Sequence, residues 1–506
     1  MATEKQALDA GITTHIQDIT VVPKHEHSVD SKGDVESSQD SALPRATDPI
    51  VAETPKRTWR SYIWDSLDKD PKERKLVFKL DCALLTIGCL GYFVKFLDQV
   101  NINNAFVSGM KEDLGMLGNQ LNYMQTAWSV GYVLGGVPSN ILLTRVRPSL
   151  FIPCIEIMWG VLTFSLVACK SWQTMCAVRF FVGLFESALF PGFIYIIGSW
   201  YRKDELAKRT CIFQITNAIG GMFSGYLMAA TYRLEGVGGF YGWQWLFIVD
   251  GIITMPIAIA GFFVLPDLPE STRAWYLSPD ERKLCVDRMV VEGRALRQPY
   301  TKAKIMKFIT GWHWWVLVPM YVVWNNGTAG AQPIFQQYLK STKQYTVQEI
   351  NVYPTIGGVV QIVSTLAFAW TSDTVLKGRR WPAILIGAVV NIICYGSLWA
   401  WNIPTGWKWA VYIINPVGAA TAGLIMSWAN EVCTADNEER AIVTGSMNQF
   451  AYAFQIWVPL LAWQQVKQPR YTAGFALVTV LNVALIGIVT VCLYMLRQVR
   501  LWKVAQ

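Results

Sequence analysis

Two full charges stand inside the first long apolar run of the chain, Lys95 and Asp98 in Gly91-Tyr-Phe-Val-Lys95-Phe-Leu-Asp98-Gln-Val-Asn101. Charge in hydrocarbon costs several kcal/mol and persists where it faces a polar cavity and does work. A spacing of three puts both side chains on one helical face. An ammonium there is a compact point charge that can receive a mobile carboxylate. A carboxyl whose ionisation is set by burial and nearby cations can take up and release a proton. The bland reading is a lysine neutralised by Asp98 one turn away. The fourth apolar run adds Arg179 and Glu186, two turns apart. Counting about 1.5 Å per residue, Asp98 and Arg179 fall in the same half of a core ~30 Å thick. They are either an ion pair or two separate structural groups, and Glu186 is a second candidate for the coupled proton. Asn217, Asn325, Asn326 and Asn448 are hydrogen-bonding side chains inside other apolar runs and are candidate substrate contacts.

The elements that must hold these groups are membrane helices. The chain has 506 residues, is 52% hydrophobic and only 16% charged, well under the roughly 25% charge of a soluble domain. Apolar runs lie near 80–105, 122–143, 149–169, 173–200, 209–231 and 246–265, then near 313–336, 349–371, 382–401, 408–429, 441–464 and 472–496. Each supplies the ~20 residues that span a bilayer. The expected fold is an all-α membrane protein of twelve transmembrane helices in two six-helix halves. Its expected division is a disordered tail (1–56), a first half (57–266), a central loop (267–312), a second half (313–497) and a C-tail (498–506). Trp59, Tyr62, Ile63 and Leu67 suit a short interfacial helix or simple packing on the bundle. Asp70-Pro71-Lys-Glu73 and Ser278-Pro279-Asp280-Glu281 read as helix N-termini with capping boxes, the second opening a helix over 281–296.

Lys and Arg are dense in one set of connections (Arg145, Arg147, Arg202, Lys203, Lys208, Arg209, Arg379, Arg380, Arg440) and in the central loop, and sparser in the other set. The bias places both termini in the cytosol. It also assigns the net charge of +8 to a face against anionic lipid, not to nucleic acid. The ten cysteines form no CxxC pair, so no disulfide framework is expected. Only Cys169 and Cys176 could meet across a tight connection. No cofactor is implied. Four His, three of them in the N-tail, are too few for a histidine-bound di-iron enzyme, and no Walker A loop is present for an ATP-driven pump. The halves repeat: Ser199-Trp200 and Ser427-Trp428 each precede an Arg, Arg209 or Arg440, with an Asn eight residues further on, Asn217 or Asn448. Duplicated six-helix units place a substrate site between halves near the midplane.

These landmarks resemble the major facilitator superfamily and, within it, the fungal allantoate permease (anion:cation symporter) family, over roughly residues 57–500. The resemblance rests on Leu97-Asp98-Gln-Val-Asn101-Ile-Asn103-Asn104-Ala, Pro138-Ser139-Asn140, Arg145-Val-Arg147-Pro148-Ser149 and Arg179-Phe-Phe-Val-Gly183-Leu-Phe-Glu186. It continues through Gly242-Trp243-Gln-Trp245 and Leu265-Pro-Asp-Leu-Pro269-Glu-Ser-Thr-Arg273. Gly91-Tyr-Phe-Val-Lys95-Phe-Leu-Asp98 and Asn103-Asn104-Ala-Phe-Val-Ser108 are most similar to the fungal pantothenate transporters. The likeness implies a cytosolic gate at Asn140 and Arg145, repeated at Asp373, Arg379 and Arg380. The second copy carries its arginines two residues late, which weakens the carry-over there. In this fold the third and sixth helices sit mostly outside the cavity, so Glu156 and Asp250 read as packing groups. Most of the broader family has no lysine at the position of Lys95, which fits a subgroup handling carboxylated vitamins.

A carboxylate entering a cell is opposed by about 2.3 kcal/mol per 100 mV of inside-negative potential, so accumulation requires cotransported cations. Proton symport of a small carboxylate at the plasma membrane, by a monomer, is the expectation. An exporter of a small acidic metabolite and a nutrient sensor on a transporter scaffold remain the alternatives.

Overall fold

Hydrocarbon offers the backbone no hydrogen bonds, so a spanning segment must satisfy its N–H and C=O groups internally, as a helix does. The computed structural model describes residues 65–505 apart from 144, 292–301, 330, 331, 374, 377 and 434–436. The N-tail, with Trp59, Tyr62 and Ile63, lies outside the described residues. Among the described residues there is no strand.

The first half comprises α1 (Pro71–Asp113), α2 (Gln120–Leu143), α3 (Pro148–Ala168), α4 (Trp172–Trp200), α5 (Lys203–Thr231) and α6 (Gly242–Val264). The second comprises α7 (Trp312–Asn326 and Ile334–Thr342), α8 (Val347–Ser372), α9 (Trp381–Ala400), α10 (Thr405–Val432), α11 (Asn437–Gln455 and Val458–Ala462) and α12 (Thr472–Val499). Eight of these are long and apolar enough to cross a membrane by length and composition alone. The other four, α2, α5, α7 and α11, are interrupted or carry polar groups toward the cavity and the opposite half. They read weakly as spans because they do the least ordinary spanning.

Asp70 caps α1 as expected, accepting a 3.1 Å bond from the Lys72 N–H. Glu73 does not close a capping box. It takes the Arg288 guanidinium at 2.8 Å instead. The central loop forms a helix, Pro279–Val291, whose Ser278 and Glu281 do exchange capping bonds. Arg288 also reaches Glu205 at 2.5 Å and Lys79 reaches Glu281 at 2.8 Å, so this helix is pinned to the first half. Burial would raise the Glu281 carboxyl, but hydrogen bonds from Lys79 and Ser278 outweigh it and hold the group below the usual carboxylate range. Residues 292–296 of the expected helix lie outside the described residues.

Within the halves, α2 packs on α4, α1 on α5, α3 on α6, α7 on α11 and α9 on α12, while α5–α8 and α2–α11 contacts join the halves. The α2–α4 seam is made of small residues, as membrane helices require for close approach. A Cβ on Gly183 would lie 2.1 Å from the Trp128 carbonyl oxygen, and one on Gly131 2.0 Å from that of Phe180. The break in α7 exposes carbonyls that side chains recapture. Gly327 O accepts from Asn482 at 2.7 Å and Thr328 O from the Tyr395 hydroxyl at 3.0 Å. The cysteines, Cys169 and Cys176 included, are free.

Hydrogen bonds joining the halves cluster at the C-terminal end of α1. There Asn103, Gln125, Gln332, Gln465 and Asn122 form one chain of amides. Its links are 2.8 Å from Gln125 to Asn103, 2.8 Å from Gln332 to Gln125, 3.2 Å from Gln465 to Gln332 and 3.1 Å from Gln465 to Asn122. Asn351–Ser108 at 2.8 Å and Lys340–Glu112 at 2.9 Å flank it.

The glycine seam yields a stability prediction. Gly183→Val forces backbone apart and is expected to cost ~1–3 kcal/mol or more, read as a drop in the thermal unfolding temperature of purified protein. Gly198→Ala, whose Cβ meets nothing within 4 Å, should leave that temperature within about a degree or raise it slightly.

Candidate functional site

On α1, Lys95, Gln99 and Asn103 recur at four-residue steps, and all three line a cavity of about 430 Å³ between the halves. Asp98 does not line it. Three residues along a 3.6-residue turn leave side chains about 60° apart, and the helix wall divides them. The expected shared face is therefore split, with Lys95 toward the cavity and Asp98 toward α3 and α4.

Lys95 is 1% exposed. Its Nζ donates to the Tyr132 hydroxyl at 3.4 Å and lies 4.6 Å from the centre of that ring. The rings of Tyr92 and Phe96 stand 5.9 Å away on α1 itself. Among the described residues Lys95 makes no ion pair, so the neutralising Asp98–Lys95 pair of the bland reading does not form. Ring faces attract the ammonium without cancelling its charge.

Asp98 pairs with Arg179, Nη1 to Oδ1 at 3.4 Å, both groups fully buried, and accepts a 2.8 Å bond from Thr163. Glu186 closes the first piece of α4 just before the helix is interrupted. Its Oε2 accepts from the Trp128 indole at 3.1 Å. Its Oε1 is buried without a donor, and Asp98 lies close enough for its charge to be felt at Glu186.

Asp250 belongs to the same neighbourhood, close enough to Asp98 to feel its charge. It accepts from Asn101 at 2.8 Å, and Asn101 in turn accepts from Ser224 at 2.5 Å. Ser224 takes a 2.5 Å bond from Asn104, which accepts from Gln336 of the second half at 2.6 Å. A polar wire thus runs from the carboxyl cluster to the end where the halves are tied. Glu156, also buried, presses its Oε1 onto Gly91, where an added Cβ would come within 2.4 Å.

The duplicated asparagines Asn217 and Asn448 both line the cavity, on α5 and α11, as does Asn325. Asn325 accepts from Gln455 at 2.6 Å, and Asn448 lines the cavity with Tyr132. Asn326 is turned away, bonded to the Val322 carbonyl of its own helix at 2.9 Å. Of the expected gate residues, Arg145 and Arg379 are exposed and Arg380 bonds Glu431 at 3.0 Å. The side chains of Asn140 and Asp373 lie outside the described residues. His313, Cys433 and Glu439 bring ligand-type atoms within 4.8 Å of one another, but the 2.6 Å His313–Glu439 contact already ties α7 to α11 within one half.

Sequence reasoning missed the aromatic residues around Lys95, namely Tyr92, Tyr132, Tyr321 and Tyr452. Two of them carried a signal. Tyr92 stands three residues before Lys95, and Tyr452 four after Asn448, so each shares a helical face with a candidate already named.

The Major Facilitator Superfamily model matches residues 88–459. The MFS transporter PfmaC of Pestalotiopsis fici is 37% identical over 445 residues, 87% of this chain and 83% of its own. The pantothenate transporter liz1 of Schizosaccharomyces pombe is 35% identical over 430 residues, 85% of this chain and 83% of its own. A structure of the xylose transporter XylE from E. coli superposes with a TM-score of 0.59 at 13% identity, covering 81% of this chain and 97% of that one. At that identity the likeness speaks for the fold alone.

The Asp98–Arg179 contact is testable by a double-mutant cycle. Breaking a buried pair by removing one partner costs ~3–5 kcal/mol because the other charge is stranded. Asp98→Asn and Arg179→Gln should each lower thermal stability strongly, and the double variant should lose less than the two losses added. Strict additivity in four purified proteins would show that the residues do not interact.

Proposed function

Because the chain belongs to the major facilitator superfamily, we propose that it is a secondary active transporter of a small carboxylate, pantothenate or a related organic acid, coupled to protons by alternating access. The observation that carries the reading is Lys95, an ammonium without an ion-pair partner among the described residues, on the wall of a cavity between the two halves. A buried charge without a partner is expensive, and a carboxylate arriving through the cavity supplies one. Asn217, Asn325 and Asn448, on the same wall, are hydrogen-bonding contacts for the rest of the molecule.

Proton coupling draws on the layer behind that wall. Asp98, Glu186 and Asp250 are three carboxyls, set against the cations Arg179 and Lys95 in one buried volume. One carboxyl charge is in excess unless a proton is held. Asp98 and Glu186, bracketed by Arg179, form the proton site in this reading. Substrate binding at Lys95 withdraws one of the two cations from the carboxyls' field and so favours proton uptake with the anion. The basic connections place both termini in the cytosol. The amide-tied end then faces outward, and the gate residues Asn140, Arg145, Asp373, Arg379 and Arg380 line the cytosolic mouth. A single chain in the plasma membrane suffices for this cycle, running toward uptake.

Two measurements test the reading. Lys95→Met should abolish binding and uptake of labelled pantothenate while expression and membrane insertion persist; near-normal affinity in that variant would overturn the carboxylate-receiving role. Asp98→Asn and Glu186→Gln, reconstituted in liposomes, should lose pH-driven accumulation yet keep substrate counterflow, which needs no deprotonation. If both variants still concentrate substrate against an acid exterior, neither residue carries the proton. If the parent ignores a pH gradient, symport itself is wrong.

A further inference from the structure

Lys95 is surrounded by phenols, and their arrangement has no use in the proton layer. Tyr92 and Tyr132 come from α1 and α2, and Tyr321 and Tyr452 from α7 and α11, so each half contributes two. All four line the cavity with Lys95. The Tyr132 and Tyr452 rings are 4.4 Å apart across the boundary between the halves. Tyr321 is close enough to Tyr92, Tyr132 and Tyr452 to interact electrostatically with each.

The rings are held in place from behind. Tyr92 stacks on Phe213 at 4.3 Å, Tyr132 on Trp128 at 5.1 Å, and Tyr321 leans on Trp324 at 5.0 Å. Such packing fixes the hydroxyls without engaging them. The Tyr132 hydroxyl accepts from Lys95 at 3.4 Å. Those of Tyr92, Tyr321 and Tyr452 have no hydrogen-bond partner among the described residues, although Tyr92 is 6% and Tyr321 9% exposed. Tyr452 is half-buried, and all three line the cavity with Lys95, one from the first half and two from the second, a set of hydroxyl donors open to an acceptor that enters it.

Resting on the carboxylate reading above, we infer that the hydroxyls of Tyr92, Tyr321 and Tyr452 complete the receptor for the substrate carboxylate at Lys95, with Tyr132 positioning the ammonium. A carboxylate offers about four lone-pair sites on two oxygens, which one ammonium and three phenols can fill. Phenol donors add no charge, so the site carries a single positive charge and selects a monocarboxylate over a dianion. The split between halves gives the anion a second role. It is gripped by α1 from one side and by α7 and α11 from the other, so its affinity is greatest when the halves close on it. A ligand shifts a conformational equilibrium only by such differential contact.

The test uses purified full-length protein and its Tyr92→Phe, Tyr321→Phe and Tyr452→Phe variants, which keep each ring and remove one hydroxyl. The probe is whichever of pantothenate, biotin, nicotinate and allantoate the parent binds most tightly, paired with its neutral primary amide. Hydrogen bonds to charged groups contribute ~1.5–3 kcal/mol. Each Tyr321 and Tyr452 variant should therefore weaken carboxylate binding about tenfold or more, while binding of the amide changes less than about threefold. Equal losses for carboxylate and amide would mean that the phenols only shape the cavity, and the inference falls. Unchanged carboxylate affinity in all three variants, with Lys95→Met still abolishing binding, would overturn the tyrosine receptor and leave the carboxylate reading intact. If Lys95→Met binds normally, or if none of the four acids binds the parent, both fall together.

Discussion

A bare charge in a low-dielectric interior is tolerated only with a counter-charge, a hydrogen-bond shell or a proton. The first half of this bundle is organised around that constraint. Arg179 on α4 anchors Asp98 on α1 at 3.4 Å, and Thr163 on α3 holds the second carboxylate oxygen. One ion pair thereby sets the mutual placement of three helices. Glu186 and Asp250 crowd the same pair and cannot both add charge without compensation. On the proposed symport reading, the packing that holds these helices together also builds the proton site.

The cavity lined by Lys95 and the carboxyl cluster around Asp98 form two layers separated by the wall of α1. Lys95 points into the cavity, Asp98 points away from it, and Glu186 feels both. The separation keeps the carboxyls from simply neutralising Lys95, yet leaves them near enough for the ammonium's field to reach Glu186. Trp128 touches both layers, with its indole on Glu186 and its ring face on Tyr132. The wire through Asp250, Asn101, Ser224, Asn104 and Gln336 carries the carboxyl layer on to the second half.

The two ends of the bundle are held by different chemistry. Where the central-loop helix meets the first half, ion pairs such as Arg288–Glu73, Arg288–Glu205 and Lys79–Glu281 predominate. Where the halves themselves are tied, bonds between neutral amides predominate, as in Gln332–Gln125, Gln465–Asn122 and Gln336–Asn104. A neutral hydrogen bond exchanged for one to water is worth only ~0.5–1.5 kcal/mol. Amides therefore suit contacts that must part and re-form, whereas charges left unpaired on opening would cost more.

Composition and apolar run length determined the class of this protein by themselves, because backbone polarity leaves hydrocarbon few solutions. The charges at Lys95, Asp98, Arg179 and Glu186 were equally legible as groups that need partners, since a bare charge in an apolar run is costly. The register between the halves was legible in Asn217 and Asn448, which a duplicated sequence carries to equivalent places. Only the tertiary structure decided which charges meet. Spacing along α1 is compatible with a Lys95–Asp98 pair, but the 60° between them is resolved by what packs on either side, Arg179 behind and the cavity in front. Nor could the sequence single out four phenols among 20 tyrosines, or turn Asn325 into the cavity and Asn326 out of it. Those assignments depend on helix rotation and on the break in α7, which neighbouring helices set through contacts distant in the chain.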